Sequence, residues 1–463
     1  MTTKRVEMTD DARTAALRTQ VRSLMTRAKD DLAELVSYRS VHDPRQFPAQ
    51  ECRRAAQWVL DAFVEVGLTD AGLHETSDGS LAVVARYPAP AGAPTVLLYS
   101  HYDVQPPLDE SAWRTPVWEL TERDGRWYGR GAADCKGNVL AHLTALRALR
   151  ETLGDNGFPV GITLVCEGSE EQGTGGLEEF VPEHADLLRA DALVIGDSGN
   201  AAVGVPTFTQ TLRGTVNVIV SVETLAGPMH SGMFGGPAPD ALAALIHLLA
   251  TLRDEHGNTT VAGLPADQVW DGTQYPPERF RADAGVLDGV DLLGDGTVAD
   301  MAWARPAVTV LGIDAPNVVG AVAAVQGAAR ALINLRIPPG IDPEPALKAL
   351  TAHLESNTPW HARVTVQPDA AGAPFRSGTG GPARRAMEAA FAAAYGRAST
   401  TQGQGGSIPL CNVFAETYPD AEIMLIGVEE PSCLIHAPNE SVDPGEIENI
   451  ALTEALFLAT YGS

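Results

Sequence analysis

Positive charge is scarce in this sequence relative to negative. Across 463 residues, 33 Lys and Arg stand against 59 Asp and Glu, a formal net charge of −26. Nucleic acid and anionic membrane would both repel such a chain, so neither is an expected partner. Cysteine is scarce too. Cys52, Cys135, Cys166, Cys411 and Cys433 are odd in number, widely scattered and without a CxxC pair. They make no disulfide framework and suit a reducing compartment. No stretch approaches the roughly 18 uninterrupted apolar residues of a membrane span. The charged run from Met1 to Ser40 lacks the apolar centre of a signal peptide, so the expected location is the cytoplasm. Internal repeats and low-complexity linkers are missing as well.

What is present is an ordinary globular composition, 44% hydrophobic and 20% charged, over a length that suggests two domains. Leu17, Val21, Leu24, Ala28, Leu32 and Leu35 predict a long amphipathic helix, and 52–66 a second. Residues 81–87 read as a strand. The run Thr95-Val96-Leu97-Leu98-Tyr99-Ser100 then reads as a buried strand that delivers His101 and Asp103 to its C-terminal edge. Open α/β sheets carry their sites outside that edge. A glycine-punctuated turn, 129–138, brings Asp134 to the start of a helix. Strand 161–166 empties into Glu170-Glu171, strand 191–196 into Asp197, and strand 422–428 into a turn carrying His436.

Between these lies a different rhythm. Val216, Val218, Val220 and Val222 alternate as in a half-exposed strand. A helix near 239–253, strands near 307–312 and 329–337, a helix near 343–356 and a strand near 362–367 follow. This β-α-β-β-α-β order is the ferredoxin-like motif. The predicted organisation is an α/β domain with a mixed, mostly parallel sheet over 1–209 and 376–463. It is interrupted by an inserted α+β domain over 210–375.

Each acidic or histidine residue has a bland reading taken singly: a cap, a turn residue, a solvated face. Their convergence on one sheet edge does not. His101, Asp134, Glu171, Asp197 and His436 would hold two divalent ions if one carboxylate bridged them. Imidazole with carboxylate suits zinc, manganese or cobalt better than a thiolate-selecting metal. Two such ions about 3.5–4 Å apart activate a bridging water and polarise a carbonyl, which is the chemistry of amide hydrolysis. The pair Glu170-Glu171 offers one ligand and one free base. Asp103 is placed to bond the non-ligating nitrogen of His101.

The segments LLYSHYDVQP, GRGAADCKGN, EGSEEQG, ALVIGD, GPMHSGMFGG and IHAPNE, in this order, resemble the motif set of the two-metal peptidases. That family includes carnosinase-like dipeptidases, bacterial dipeptidases, aminoacylases and carboxypeptidase G. The resemblance runs from about residue 15 onward and is nearest the bacterial and cytosolic non-specific dipeptidases. It implies a zinc-peptidase-like catalytic domain whose inserted lid also dimerises. It further implies one ion on His101, Asp134 and Asp197, and another on Asp134, Glu171 and His436. Glu170 would be the general base and then acid, and Asp103 would orient His101. His230, from the partner subunit, would stabilise the oxyanion. Arg336, the turn containing Gly406 and Ser407, and Asn317 would bind the substrate. Asn317 stands where carnosinase-like relatives often carry threonine. Asp197, rather than Glu, is the choice of members that act on peptides with a free amino terminus. The implied activity is dipeptide hydrolysis, with N-acyl-amino-acid deacylase, carboxypeptidase and non-catalytic metal binder as alternatives. Many relatives have Asp-Asp, joined by a cis peptide, where this chain has Asp134-Cys135. Residues 255–305 match the family least and are the candidate for shaping specificity.

Overall fold

The computed structural model describes residues 10–406 and 408–462. In chain order the elements are α1 (Asp10–Ser37), α2 (Gln50–Val66), β1 (Asp70–Glu75), β2 (Leu81–Tyr87), β3 (Thr95–His101), α3 (Lys136–Leu153), β4 (Gly161–Glu167), β5 (Ala192–Gly196) and β6 (Thr207–Leu212). There follow β7 (Gly214–Glu223), α4 (Ala241–Ala250), β8 (Ala307–Asp314), β9 (Ala328–Ile337), α5 (Pro343–Ser356) and β10 (Arg363–Gly372). The last are α6 (Pro382–Tyr395), β11 (Glu422–Ile426) and α7 (Pro444–Thr460). The chain divides into two units. Met1–Gln210, Ser377–Thr401 and Val413–Ser463 form one, and Thr211–Arg376 with Gln402–Asn412 the other.

In the first unit the sheet runs β1-β2-β4-β3-β5-β11-β6. The central four strands, β4, β3, β5 and β11, are mutually parallel; β1, β2 and β6 are antiparallel to their neighbours. The sheet is therefore mixed with a parallel centre, as the sequence predicts. Helices cover it, so β4 and β5 are buried along their whole length. That is why they read as continuous apolar runs and not as alternation. α1 buries the stripe from Leu17 to Leu35, and α3, packed between α1, α7 and β3, is buried nearly all round. Truncating one of its leucines, such as Leu140, to alanine costs about 2–5 kcal/mol. α2 stops at Gly67, whose φ of 115° favours glycine. The Arg150 guanidinium occupies the place of its missing side chain and donates to Val66 O at 2.7 Å.

Four parallel strands send their C-terminal ends to one edge. His101 is paired with Glu167 and Ile426 with Gly196, so the loops after β3, β4, β5 and β11 leave the sheet side by side. The site grows from this edge.

In the second unit the sheet order is β8-β9-β7-β10, all antiparallel, with α4 and α5 on one face. Val216, Val218, Val220 and Val222 face those helices and are fully buried. This is the ferredoxin-like arrangement. The stretch before β8 adds a short helix, Pro277–Asp283, and an aromatic cluster in which Tyr275 stacks on Trp303 at 5.5 Å and Trp303 meets Trp270 edge-on at 5.2 Å. On β8, Val310, Leu311 and Ile313 are exposed.

Candidate metal centre

His101 ends β3 and is fully buried. Its Nε2 lies 3.1 Å from Asp134 Oδ1 and 3.3 Å from Asp197 Oδ1. The other oxygen of Asp134, Oδ2, lies 2.9 Å from His436 Nε2, which is also 3.0 Å from Glu171 Oε2. All five predicted ligands thus meet, and Asp134 stands between the histidines with one oxygen toward each. The ligand atoms of Asp134, Glu171 and His436 lie within 4.8 Å of one another. So do those of His101, Asp197 and Cys135, and those of Asp134, Asp197 and Glu429.

Local structure fixes each group. Asp134 enters from the turn before α3, and its peptide to Cys135 is cis. His101 Nδ1 is bonded to the Asp103 carbonyl at 3.1 Å, with the Asp103 carboxylate 3.3 Å away. The hydrogen-bond acceptor is therefore the Asp103 backbone carbonyl, with the carboxylate beside it as an ion-pair neighbour. Asp103 Oδ2 accepts the Glu171 N–H at 3.1 Å, and Gln105 Nε2 donates to Glu171 Oε2 at 2.8 Å. His436 has a φ of 60° in a loop where Leu434 and Asn439 also take positive φ. Such conformations need support. Asn439 supplies it, accepting the Arg114 N–H at 2.7 Å and donating to Ala112 O at 2.9 Å.

Two buried acids escaped the sequence reading. Glu440 accepts the N–H groups of Gly131, Ala133 and Asp134 at 3.0, 3.0 and 3.1 Å, and pairs with buried Arg130 at 2.7 Å. Glu429, just past β11, accepts from Asn138 Nδ2 at 2.6 Å while approaching Asp134 and Asp197. Their sequence signal, acids close to His436, is indistinguishable from that of a solvated loop.

The electrostatics are those of a cation site. Burial would push His101 down, but the acidic groups around it, Asp197 and Asp134 among them, hold it well above its ordinary value. Bonds to Asp134 and then Glu171 carry His436 up to about 11. Burial would raise Asp134, yet the two histidines hold it well below the usual carboxylate range. Burial raises Glu171, helped by the charge of Asp134, and raises Asp197 against the opposing pull of His101. Burial and then Asp197 push Glu170 well up. Among the described residues the ion pairs of Asp134, Asp197 and Glu171 are all to histidine. Cys135, raised by burial, keeps its proton and donates Sγ–H to Gly196 O at 2.8 Å, so the donor set is imidazole and carboxylate. That set fits divalent ions of the zinc and manganese type.

Glu170 Oε2 is 4.0 Å from His101 Nε2, near the cluster but outside the three ligand groupings. The remaining predicted residues belong to the second unit. His230 is exposed and its Nδ1 accepts the Gly232 N–H at 3.1 Å, leaving Nε2–H free to donate. Arg336, near the end of β9, is half-buried, and Asn317 sits in an exposed loop. Gly406 is exposed, and Ser407 lies outside the described residues.

A profile of peptidase family M20/M25/M40 matches residues 97–460, a span that holds the whole cluster. The chain belongs to this family. It is a metallopeptidase by membership, and its cofactor class is the divalent metal ion. Cysteinylglycine-S-conjugate dipeptidase of Corynebacterium striatum is 44% identical over 436 residues, 93% of this chain and 95% of that protein. The crystal structure of human carnosine dipeptidase 1 superposes with a TM-score of 0.81 at 25% identity, covering 97% of this chain and 98% of the other. Dug1p of Saccharomyces cerevisiae shares the fold, with a TM-score of 0.82 at 21% identity over 98% and 99%. Among the described residues no helix is long and apolar enough to cross a membrane.

Proposed function

We propose that this protein is a dipeptidase, cutting the peptide bond of dipeptides that have a free amino terminus and a free carboxylate. The observation that carries the reading is Asp134, with Oδ1 toward His101 and Oδ2 toward His436. In this proposal His101, Asp134 and Asp197 hold one divalent ion and Asp134, Glu171 and His436 the other, zinc first and manganese or cobalt next. Divalent ions held by these residues would supply polarisation of the scissile carbonyl and a water acidic enough to attack at neutral pH.

The chain's own groups do the rest. Glu170 takes the proton of the attacking water and passes it to the leaving amine; its burial raises its pKa toward the value such a shuttle needs. Asp103 keeps His101 in one orientation. His230, supplied by the partner subunit of a homodimer, donates Nε2–H to the oxyanion. Arg336, Asn317, Gly406 and Ser407 hold the substrate's carboxyl end. Dimerisation through the second unit would cover the apolar residues exposed on β8. The Corynebacterium relative is named for cysteinylglycine conjugates, and from it we carry over the substrate class alone, a dipeptide; a cytoplasmic location is our own reading, from five scattered cysteines without a CxxC pair. The test is hydrolysis of alanylglycine by chelator-treated protein resupplied with zinc, manganese or cobalt. Cleavage that returns only with metal supports the proposal, and cleavage without metal overturns it.

A further inference from the structure

The first unit carries a cavity of about 600 Å³ lined by three arginines, Arg27, Arg147 and Arg150. It lies at the sheet edge opposite the metal centre. Its aromatic wall is Tyr87, which ends β2 and pairs with Ile162 at the start of β4, and buried Phe158, edge-on to Tyr87 at 5.0 Å. α3 joins the two ends of the unit. It runs from Lys136, in the turn of Asp134, to Arg150, about 21 Å of helix. Three guanidinium groups around one cavity are a concentration of positive charge in a chain with 33 bases to 59 acids. The metal chemistry uses none of them.

These arginines are held in place more firmly than they are neutralised. Arg150 rests on Gly67, where a Cβ would come within 1.7 Å of its Nη1, and that nitrogen donates to Val66 O at 2.7 Å. Among the described residues Arg150 forms no ion pair. Buried Arg147 shares both its carboxylates with Arg27. Asp31 contacts Arg147 and stands 3.9 Å from Arg27 Nε; Glu65 is 2.6 Å from Arg27 Nη2 but 3.5 Å from Arg147 Nη2. Elsewhere Arg126 and Arg130 each have a carboxylate at 2.7 Å. Glu151, the other acid of the wall, accepts from Gln20 instead. The Tyr87 hydroxyl lies over Gly157, where a Cβ would stand 2.2 Å from it, and makes no hydrogen bond among the described residues.

Glu65 is the movable part. Its side chain is more than half exposed, and the bond from Arg27 holds its carboxyl below the ordinary value. Exposed ion pairs of this kind are weak, so a better anion displaces them. A dianion accepts from several fixed guanidinium groups at once, which a single tethered carboxylate does not.

We infer that this cavity binds a small anion with two or more charged oxygens, a phosphate or a dicarboxylate, gripped by Arg27 and Arg150 with buried Arg147 behind them. Glu65 is its competitor, holding two of the guanidinium groups that the ligand takes over. The site is separate from the metal centre and does not rest on the dipeptidase reading.

The test is calorimetric. Metal-loaded protein, freed of excess metal, is titrated with inorganic phosphate and separately with succinate. Arg27→Gln and Arg150→Gln should each weaken binding about 10-fold or more, and Glu65→Gln should tighten it about two- to fivefold. The anion that follows this pattern identifies the source of the oxygens. An anion on the metal centre would bind wild type and all three variants alike, and that result overturns the site. So does wild type that takes up neither anion. Arginine losses without tightening in Glu65→Gln overturn the competition. Thermal unfolding checks each variant; if Arg150→Gln does not fold, Arg27→Gln and Glu65→Gln, at exposed positions of α1 and α2, carry the comparison.

Discussion

Glu440 holds Asp134 from behind. Its Oε1 accepts the Asp134 backbone N–H at 3.1 Å and that of Ala133 at 3.0 Å, while Oε2 takes Gly131 N–H and Arg130. Four residues before Glu440 stands His436, whose ring faces the Asp134 side chain. One buried carboxylate therefore couples the turn carrying the central acid to the loop carrying a histidine.

Glu440→Gln should accordingly loosen the metal centre. The amide replaces one acceptor by a donor facing N–H groups and leaves Arg130 buried without its counter-charge. Breaking such a pair costs about 3–5 kcal/mol of stability. Metal affinity should fall about 10- to 100-fold, read by competition with a chromophoric chelator. Unchanged affinity in a folded variant would contradict the coupling.

Metal uptake should expel protons. In the metal-free protein bonds to Asp134 and Glu171 raise His436 to about 11, and the acidic groups around His101 hold it well above its ordinary value, so both rings favour their protonated form. A metal must displace those protons, and affinity therefore rises with pH through the neutral range. Zinc titrations in buffers of different ionisation enthalpy should report about two protons released as the site fills. Without metal the sign is reversed. The stability that protonated His436 contributes is complete below its ordinary value of 6.5 and is lost as pH climbs through about 11.

Glu170→Gln should lower kcat by about 10²- to 10⁴-fold while both metals remain bound, because the residue lies outside the ligand groupings. Metal content by mass spectrometry with steady-state kinetics tests both halves. Normal turnover would remove Glu170 from its role.

Two inactive variants should rescue one another if His230 acts across a dimer. Mixed His230→Ala and Glu170→Gln protomers leave one intact composite site, so activity should return to a fraction of wild type. No recovery in proven mixed dimers would place His230 outside catalysis.

Much of this was legible in the sequence for physical reasons. Parallel strands bury both faces, so Leu97, Leu164 and Ile195 announce strands by continuous apolarity, and chemistry at their ends is conspicuous. Val216 to Val222 declared a one-sided strand through alternation. Other features had no periodic signature. α7 is apolar around most of its circumference, with Ile450, Leu452, Ala455 and Phe457 all buried, so it lacks the amphipathic stripe by which a helix is recognised. Glu440 and Glu429 owe their character to burial and to partners far away in sequence. No local pattern separates them from the exposed charges that outnumber them.

The account stands or falls on whether the substrate brings a free amine to this centre. The most direct measurement is the initial rate on alanylglycine beside N-acetyl-alanylglycine, each after chelation and readdition of zinc, manganese or cobalt. Metal-dependent cleavage of the free-amine dipeptide alone is the predicted result. Faster cleavage of the acetylated form would make the protein a deacylase or carboxypeptidase of the same family and contradict the weight placed on Asp197.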